Sequence, residues 1–287
     1  MEILVFALTR GAVYALIAVG FVLVFSVGGI LNLAHGTLFM LGAYFSYIYF
    51  NHVFAASGTV ALLLSIVLAI SSVSLVALAI YFGLLRRKIN SISYVMVVSL
   101  AVALFVEQLM KVYFGVTSTS VPPLLRGSYD ILGARVLAVE LLLLPITFVT
   151  LALLWVFLRS TRTGRAIEAV AQNRDGAILI GINPDRVLAI TVAISAALAG
   201  LAGTLISSLV TVVPSIWSYW LIKAFAIAIV GGLGSLPGAV IAAFLLSFIE
   251  IATTFAFSDQ FADLVALITI VTILVFRPSG LMGTRRV

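Results

Sequence analysis

Between Gly11 and Ala34 no side chain carries a charge, and the same holds from Val187 to Ile222. At about 1.5 Å per helical residue, such runs are long enough to cross the roughly 30 Å hydrocarbon core of a bilayer. Backbone amides in lipid must pair within the segment. The fold class is therefore all-α, a polytopic transmembrane helical bundle. Composition agrees: 63% of residues are hydrophobic and 9% charged, where a soluble domain carries about 25% charged residues. Further apolar runs cover Thr37–Phe50, Val60–Leu85, Ser93–Phe114, Leu141–Leu158, Ala224–Ile249 and Leu264–Phe276. The last is short and is expected to begin earlier, carrying Asp263 into the headgroup region. Val187–Ile222 is too long for one helix, and Pro214–Ser215 marks its break. About eight spans result, in a single domain over residues 1–287. The first run lacks a basic leader with a clear cleavage site, so it is expected to be a retained helix.

Basic residues orient the bundle. The clusters Arg86–Lys88, Arg159–Arg186 and Arg277–Arg286 hold 11 of the 16 lysines and arginines. All three are expected on the cytoplasmic side, with the polar Gly115–Glu140 loop outside. The net charge of +6 is thus accounted for without nucleic acid.

Arg159–Arg186 is the longest polar stretch. Arg165, Glu168, Gln172 and Asp175 recur at helical spacing as one polar stripe, with Ile167, Val170 and Ile178 nearer the opposite side. Gly181 is placed to stop this helix. Asn183 and Pro184 then read as the N-cap and first-turn proline of the next. Two readings stay open on these residues: an interfacial amphipathic helix lying on the headgroups, or a docking helix for a cytoplasmic partner.

Two glycine-rich segments, VGGILNLAHG (Val27–Gly36) and VGGLGSLPG (Val230–Gly238), each split an apolar run. Paired interruptions in the two halves of a chain point to a transporter's substrate path. Tight turns between closely packed helices also explain them. If they line a path, the candidates are Gly28, Gly29, Asn32 and His35 in the first break, and Gly231, Gly232, Gly234 and Ser235 in the second. Whether the breaks are turns or re-entrant segments decides the number of spans and the side of the N-terminus.

Ionisable residues inside apolar runs are costly and need partners. Glu107 and Lys111 are spaced to pair, and Lys223 and Glu250 lie on neighbouring runs. Ala196, Gly200 and Gly203 form a small-residue face for close helix contact. With two histidines and no cysteine, neither a disulfide nor a histidine-based metal cluster is expected. There is no G-x-x-x-x-G-K-[ST] phosphate loop, no G-x-S-x-G and no H-E-x-x-H, so the chain is not expected to be an enzyme.

Four stretches carry a resemblance: GAVYALIAVGFVLVFSVGGILNLAHGTLFMLGAY, GRAIEAVAQNRDGAILIGINPDRV, KAFAIAIVGGLGSLPGAVIAA and RPSGLMG. In this order and at this spacing they resemble the permease subunits of bacterial and archaeal ABC importers of branched-chain amino acids. The likeness is to the shorter of the two permeases that such importers usually contain, and it covers nearly the whole chain. It implies a multi-pass protein of the cytoplasmic (inner) membrane. The implied partners are a second, homologous permease, two cytoplasmic ATPase subunits and an extracytoplasmic substrate-binding protein. It implies no cofactor in this chain, ATP being used by the partner subunits. On the matching loop, Gly164–Gly181 corresponds to the ATPase-coupling helix, with Gly164, Arg165, Glu168, Ala169 and Gly181 as coupling residues. Two positions depart from the family's usual pattern: Thr37 stands where relatives often carry an acid, and Glu168 where they are often basic. Relatives also move urea, short amides or aromatic acids. A passive channel for a small neutral solute is the alternative from a different class.

Overall fold

In the computed structural model, residues 2–54, 58–116, 121–122, 127–131 and 134–283 are described. The helices are α1 (Glu2–Gly28), α2 (His35–Ile48), α3 (Gly58–Ile80), α4 (Ile92–Phe114), α5 (Ala138–Ser160), α6 (Arg162–Gln172), α7 (Arg174–Leu179), α8 (Pro184–Ile206), α9 (Ile216–Gly231), α10 (Leu236–Ala256) and α11 (Asp259–Phe276). A small antiparallel hairpin, β1 (Ser128–Ile131) and β2 (Ala134–Leu137), precedes α5. Among the described residues, seven helices are long and apolar enough to cross a membrane: α1, α3 with its extension to Lys88, α4, α5, α8, α10 and α11. The two others inside the bundle, α2 and α9, are shorter, so the expected count of about eight falls between the long helices alone and the full set.

Helices apolar all round belong in the interior, and α1 is one. From Ala12 to Ala18 every residue is at 0–1% exposure. It packs against α8, α9 and α10. α8 supplies the close contacts expected of its small residues. Gly42 of α2 abuts the Gly200 backbone, a side chain at Gly203 would strike the Phe39 carbonyl, and a Cβ at Gly200 would come within 3.3 Å of Val73 of α3. By contrast α3, α4, α5 and α11 expose large apolar side chains such as Val67, Phe105, Leu153 and Val271, a rim suited to lipid or to another membrane subunit.

The basic clusters gather at one end. Arg86 pairs with Asp185 at 3.5 Å, Arg174 donates to Asn90 at 2.9 Å, and the segment after α11 bonds back to the end of α9 through Leu281 N–H to the Val230 carbonyl at 2.7 Å. Arg285 and Arg286 lie outside the described residues. Gly28, at the end of α1, sits against Leu188 near the start of α8. α1 therefore runs toward the basic end and its Glu2 end is opposite. Part of the loop expected at that far side, including Pro123, also lies outside the described residues.

Candidate functional site

The expected single helix over the polar segment is two. Thr161 caps α6 by accepting from Gly164 N–H at 2.9 Å, and Asn173 caps α7 by accepting from Gly176 N–H at 2.9 Å. Asn173 is extended (φ −153°, ψ 103°), so the stripe of Arg165, Glu168 and Gln172 stops before Asp175. A short polar side chain that bonds the amides ahead of it turns the chain instead of continuing the helix. Ile167 and Val170 are buried as expected, but Ile178 is 50% exposed, with Leu179 at 87% and Ile180 at 74%. Gly164 is buried against the Phe157 carbonyl and Leu158 of α5, so it lets α6 fold back on the bundle. Arg165 and Glu168 face out and Ala169 is half-buried. Gly181 ends the segment with φ +84° and open space around it. Asn183 caps α8, accepting from Asp185 and Arg186 N–H at 3.0 and 3.3 Å, with Pro184 in the first turn.

The first break leads back into the bundle. Gly29 turns the chain at φ +61°, residues 30–34 form no regular helix, and α2 begins only at His35. His35 Nε2 lies 2.9 Å from the Ile17 carbonyl. A carbonyl only accepts, so Nε2 carries the proton. Ser195 of α8 donates to the Gly20 carbonyl at 2.7 Å, and its hydroxyl is 3.4 Å from His35 Nδ1. Gly20 is eight residues before Gly28, which places His35 about 12 Å back along α1. The freed amides find partners: Leu33 N–H donates to Ser99 of α4 at 3.0 Å and Ala34 N–H to Asn32 Oδ1 at 3.1 Å. Thr37 Oγ1 is buried with no hydrogen-bond partner among the described residues.

The second break is a tight turn at the basic end. Gly232 and Gly234 have φ +101° and +97°. Ser235 caps α10 by accepting from Gly238 N–H at 3.2 Å, and the Gly231 and Gly238 backbones touch. Leu281 and Met282 N–H donate to the Val230 and Gly231 carbonyls, so two of the four quoted stretches bind each other. The last carbonyls of a helix have no partner within it, and here the terminal segment supplies one.

Four charged residues within the spans form ion pairs with one another or with Asp263. Lys111 meets Glu107 at 2.6 Å as its spacing predicts, and Trp217 Nε1–H of α9 donates to the same carboxylate at 2.6 Å. Lys223 of α9 pairs with Glu250 of α10, as expected, and also with Asp263 of α11 at 2.7 Å. Tyr14 of α1 donates to the other Glu250 oxygen at 2.6 Å. A cavity of about 190 Å³ lies beside this cluster, walled by Ala226, Leu246, Leu267 and Ile270 among others. Sequence reasoning paired Lys223 with Glu250 but missed Tyr14 and Asp263. Only the depth of Asp263 in an apolar run hinted at its role. No group of three or more potential metal ligands occurs among the described residues.

Comparison with known proteins completes the picture. The family described as "Branched-chain amino acid transport system / permease component" matches residues 3–274. The chain is 30% identical to the high-affinity branched-chain amino acid transport system permease protein BraD of Pseudomonas aeruginosa, over 99% of this chain and 95% of that protein. It is 30% identical to the permease protein LivH of the corresponding Escherichia coli K12 system, over 96% and 92% of the two chains. A probable LivH of Methanocaldococcus jannaschii is 30% identical over 48% of this chain and 47% of that protein. No solved structure matches.

Proposed function

The chain belongs to the family of branched-chain amino acid transport permeases, and from that premise we propose that it is the membrane subunit of an ATP-binding-cassette importer. In this reading it forms a translocation path together with a second permease and takes its energy from separate ATPase subunits. Its cargo is a branched-chain amino acid, handed over at the end opposite the basic clusters.

The observation that carries this reading is the build of α6 and α7. One face of α6, through Ile167 and Val170, belongs to the bundle's core. The other presents Arg165 and Glu168, and the α7 end presents Ile178, Leu179 and Ile180. A surface with both charges and bare aliphatics at the basic end suits a protein partner whose groove takes the aliphatic knob. Force applied there has a route inward. α6 touches α1, α5 and α8, and α8 holds the first break through Ser195 and packs α2 through Gly200 and Gly203. Packed elements of this kind move as rigid bodies, with the few residues at their ends absorbing the change. Gly181 is such a residue.

The test is purification of the tagged chain in mild detergent from its host, with mass spectrometry of the proteins that accompany it, followed by ATP-driven leucine uptake in proteoliposomes. ATPase chains and a second permease are expected. Solute flux from this chain alone, without ATP, would replace the importer with a passive channel. Gly181→Trp is expected to assemble normally and hydrolyse ATP without uptake. Full uptake in that variant removes Gly181 from the coupling route.

A further inference from the structure

One cluster of polar and ionisable side chains joins four helices within the bundle. Tyr14, Lys223, Glu250 and Asp263 come from α1, α9, α10 and α11. Three of them bear charge, one positive and two negative, so the cluster carries a net −1. Both Glu250 oxygens are engaged, one by Lys223 and the other by Tyr14. Asp263 is different: one oxygen takes Lys223, yet its side chain remains 63% exposed. It stands on the second turn of a helix long and apolar enough to span the membrane. Asp263 lines the cavity beside this cluster, and charged side chains within spans characteristically face water-filled paths. The cavity supplies that space. Its polar pole holds Tyr14, Tyr219, Lys223, Glu250 and Asp263, and hydrocarbon from Ile222, Ala226, Leu246, Leu267 and Ile270 lines much of the rest. At about 190 Å³ it is smaller than the roughly 300–1,000 Å³ of sites for drug-sized ligands, so the occupant is a small solute.

We propose that this cleft between α9, α10 and α11 is a binding site for a small aliphatic α-amino acid in its zwitterionic form. The inference rests on the importer reading and locates one stop on its path. The α-ammonium meets the open face of Asp263. The α-carboxylate turns to Lys223, whose ammonium gives N–H to Glu250 and Asp263, lies 5.2 Å from the Tyr219 ring and has a third N–H to offer a ligand. The branched side chain lies against Ala226, Leu246 and Leu267. The charge balance sets the selectivity. A net negative cluster repels a simple carboxylic acid and accepts an ammonium, while the lysine makes the zwitterion better than a plain amine. Glu250, with both oxygens occupied, is a positioning residue that holds Lys223 in place.

The experiment is saturation-transfer NMR, which reads millimolar binding, on the purified permease–ATPase complex without its binding protein. The probes are leucine, 3-methylbutylamine and 4-methylpentanoate. Saturable leucine binding is expected, with the amine weaker and the acid weakest. Asp263→Asn is expected to weaken leucine at least tenfold while the complex still assembles. Lys223→Met is expected to narrow the gap between leucine and the amine. Absence of saturable leucine binding to the wild-type complex, or unchanged affinity in Asp263→Asn, overturns the site. So does an occupant identified by lipid mass spectrometry as phospholipid that leucine does not displace. A complex that transports leucine but fails these tests retains the importer reading, whereas a preparation with no ATPase chains removes that reading first.

Discussion

The two glycine breaks share a spelling and fold in opposite ways. Val27–Gly36 turns at Gly29 and climbs back beside α1 until His35 meets the Ile17 carbonyl. Val230–Gly238 closes within a few residues at the basic end and is clasped by Leu281 and Met282. Glycine supplied the positive φ in both. What differs is the partner available to the backbone each break sets free. Ser99 and Asn32 receive the amides of the first, deep among helices. The terminal segment receives no amide at the second but fills its orphan carbonyls. A glycine pair thus permits an interruption, and the neighbours decide its depth.

This contrast is open to direct test, and the sharpest break comes at Gly36. A side chain there would overlap the Trp217 carbonyl, with Leu221 Cβ at 2.8 Å. Backbone cannot yield as a side-chain tip can, so Gly36→Val is expected to abolish the monodisperse peak in fluorescence-detected size exclusion. His35→Ala comes next. It removes a fully buried ring, its bond to Ile17 and an edge contact with Phe21, a loss of about 2–4 kcal/mol. Thermal unfolding should show it, and uptake should fall several-fold while ATPase chains still co-purify. Wild-type uptake would make the first break a packing device only.

At the second break, Gly232→Ala combines strain at φ +101° with a clash against Gly283. The expected cost is about 1–3 kcal/mol. Deleting residues 279–287 should remove the clash, so the two changes together should cost less than their sum. Additive losses would mean that the terminal segment does not clasp this turn. Ser235→Ala removes the N-cap of α10 at about 1 kcal/mol. The smallest effect is expected at Thr37, whose buried hydroxyl has no partner among the described residues. Thr37→Val should change the melting temperature little or raise it, because no bond is lost. A marked drop in stability or uptake would show that water or cargo uses that hydroxyl.

Much of the architecture was legible from the chain. The long uncharged runs announced the helices, and the basic clusters announced a common end. Asn183–Pro184 marked the start of α8, and Glu107 with Lys111 marked an ion pair, because these interactions span a turn or less and depend on near neighbours. The polar segment Arg159–Arg186 was legible only in part. Thr161 and Asn173 are both capping types, but an asparagine inside an amphipathic pattern does not say whether it will cap or continue. Extending the periodicity through it put Asp175 on the wrong helix and hid the exposure of Ile178.

The sequence by itself determined that this chain is a helical membrane protein and a branched-chain amino acid transport permease by family, since apolar length and the quoted motifs are properties of the linear order. The tertiary structure alone decided that one glycine break is deep and the other shallow. It also decided that Tyr14 and Asp263 join Lys223 and Glu250 across four helices. The reason is physical: a buried charge or a freed amide has to be satisfied by whatever lies within about 3 Å. In a bundle, that neighbour can sit one turn along, as Lys111 does for Glu107, or 236 residues away, as Glu250 does for Tyr14.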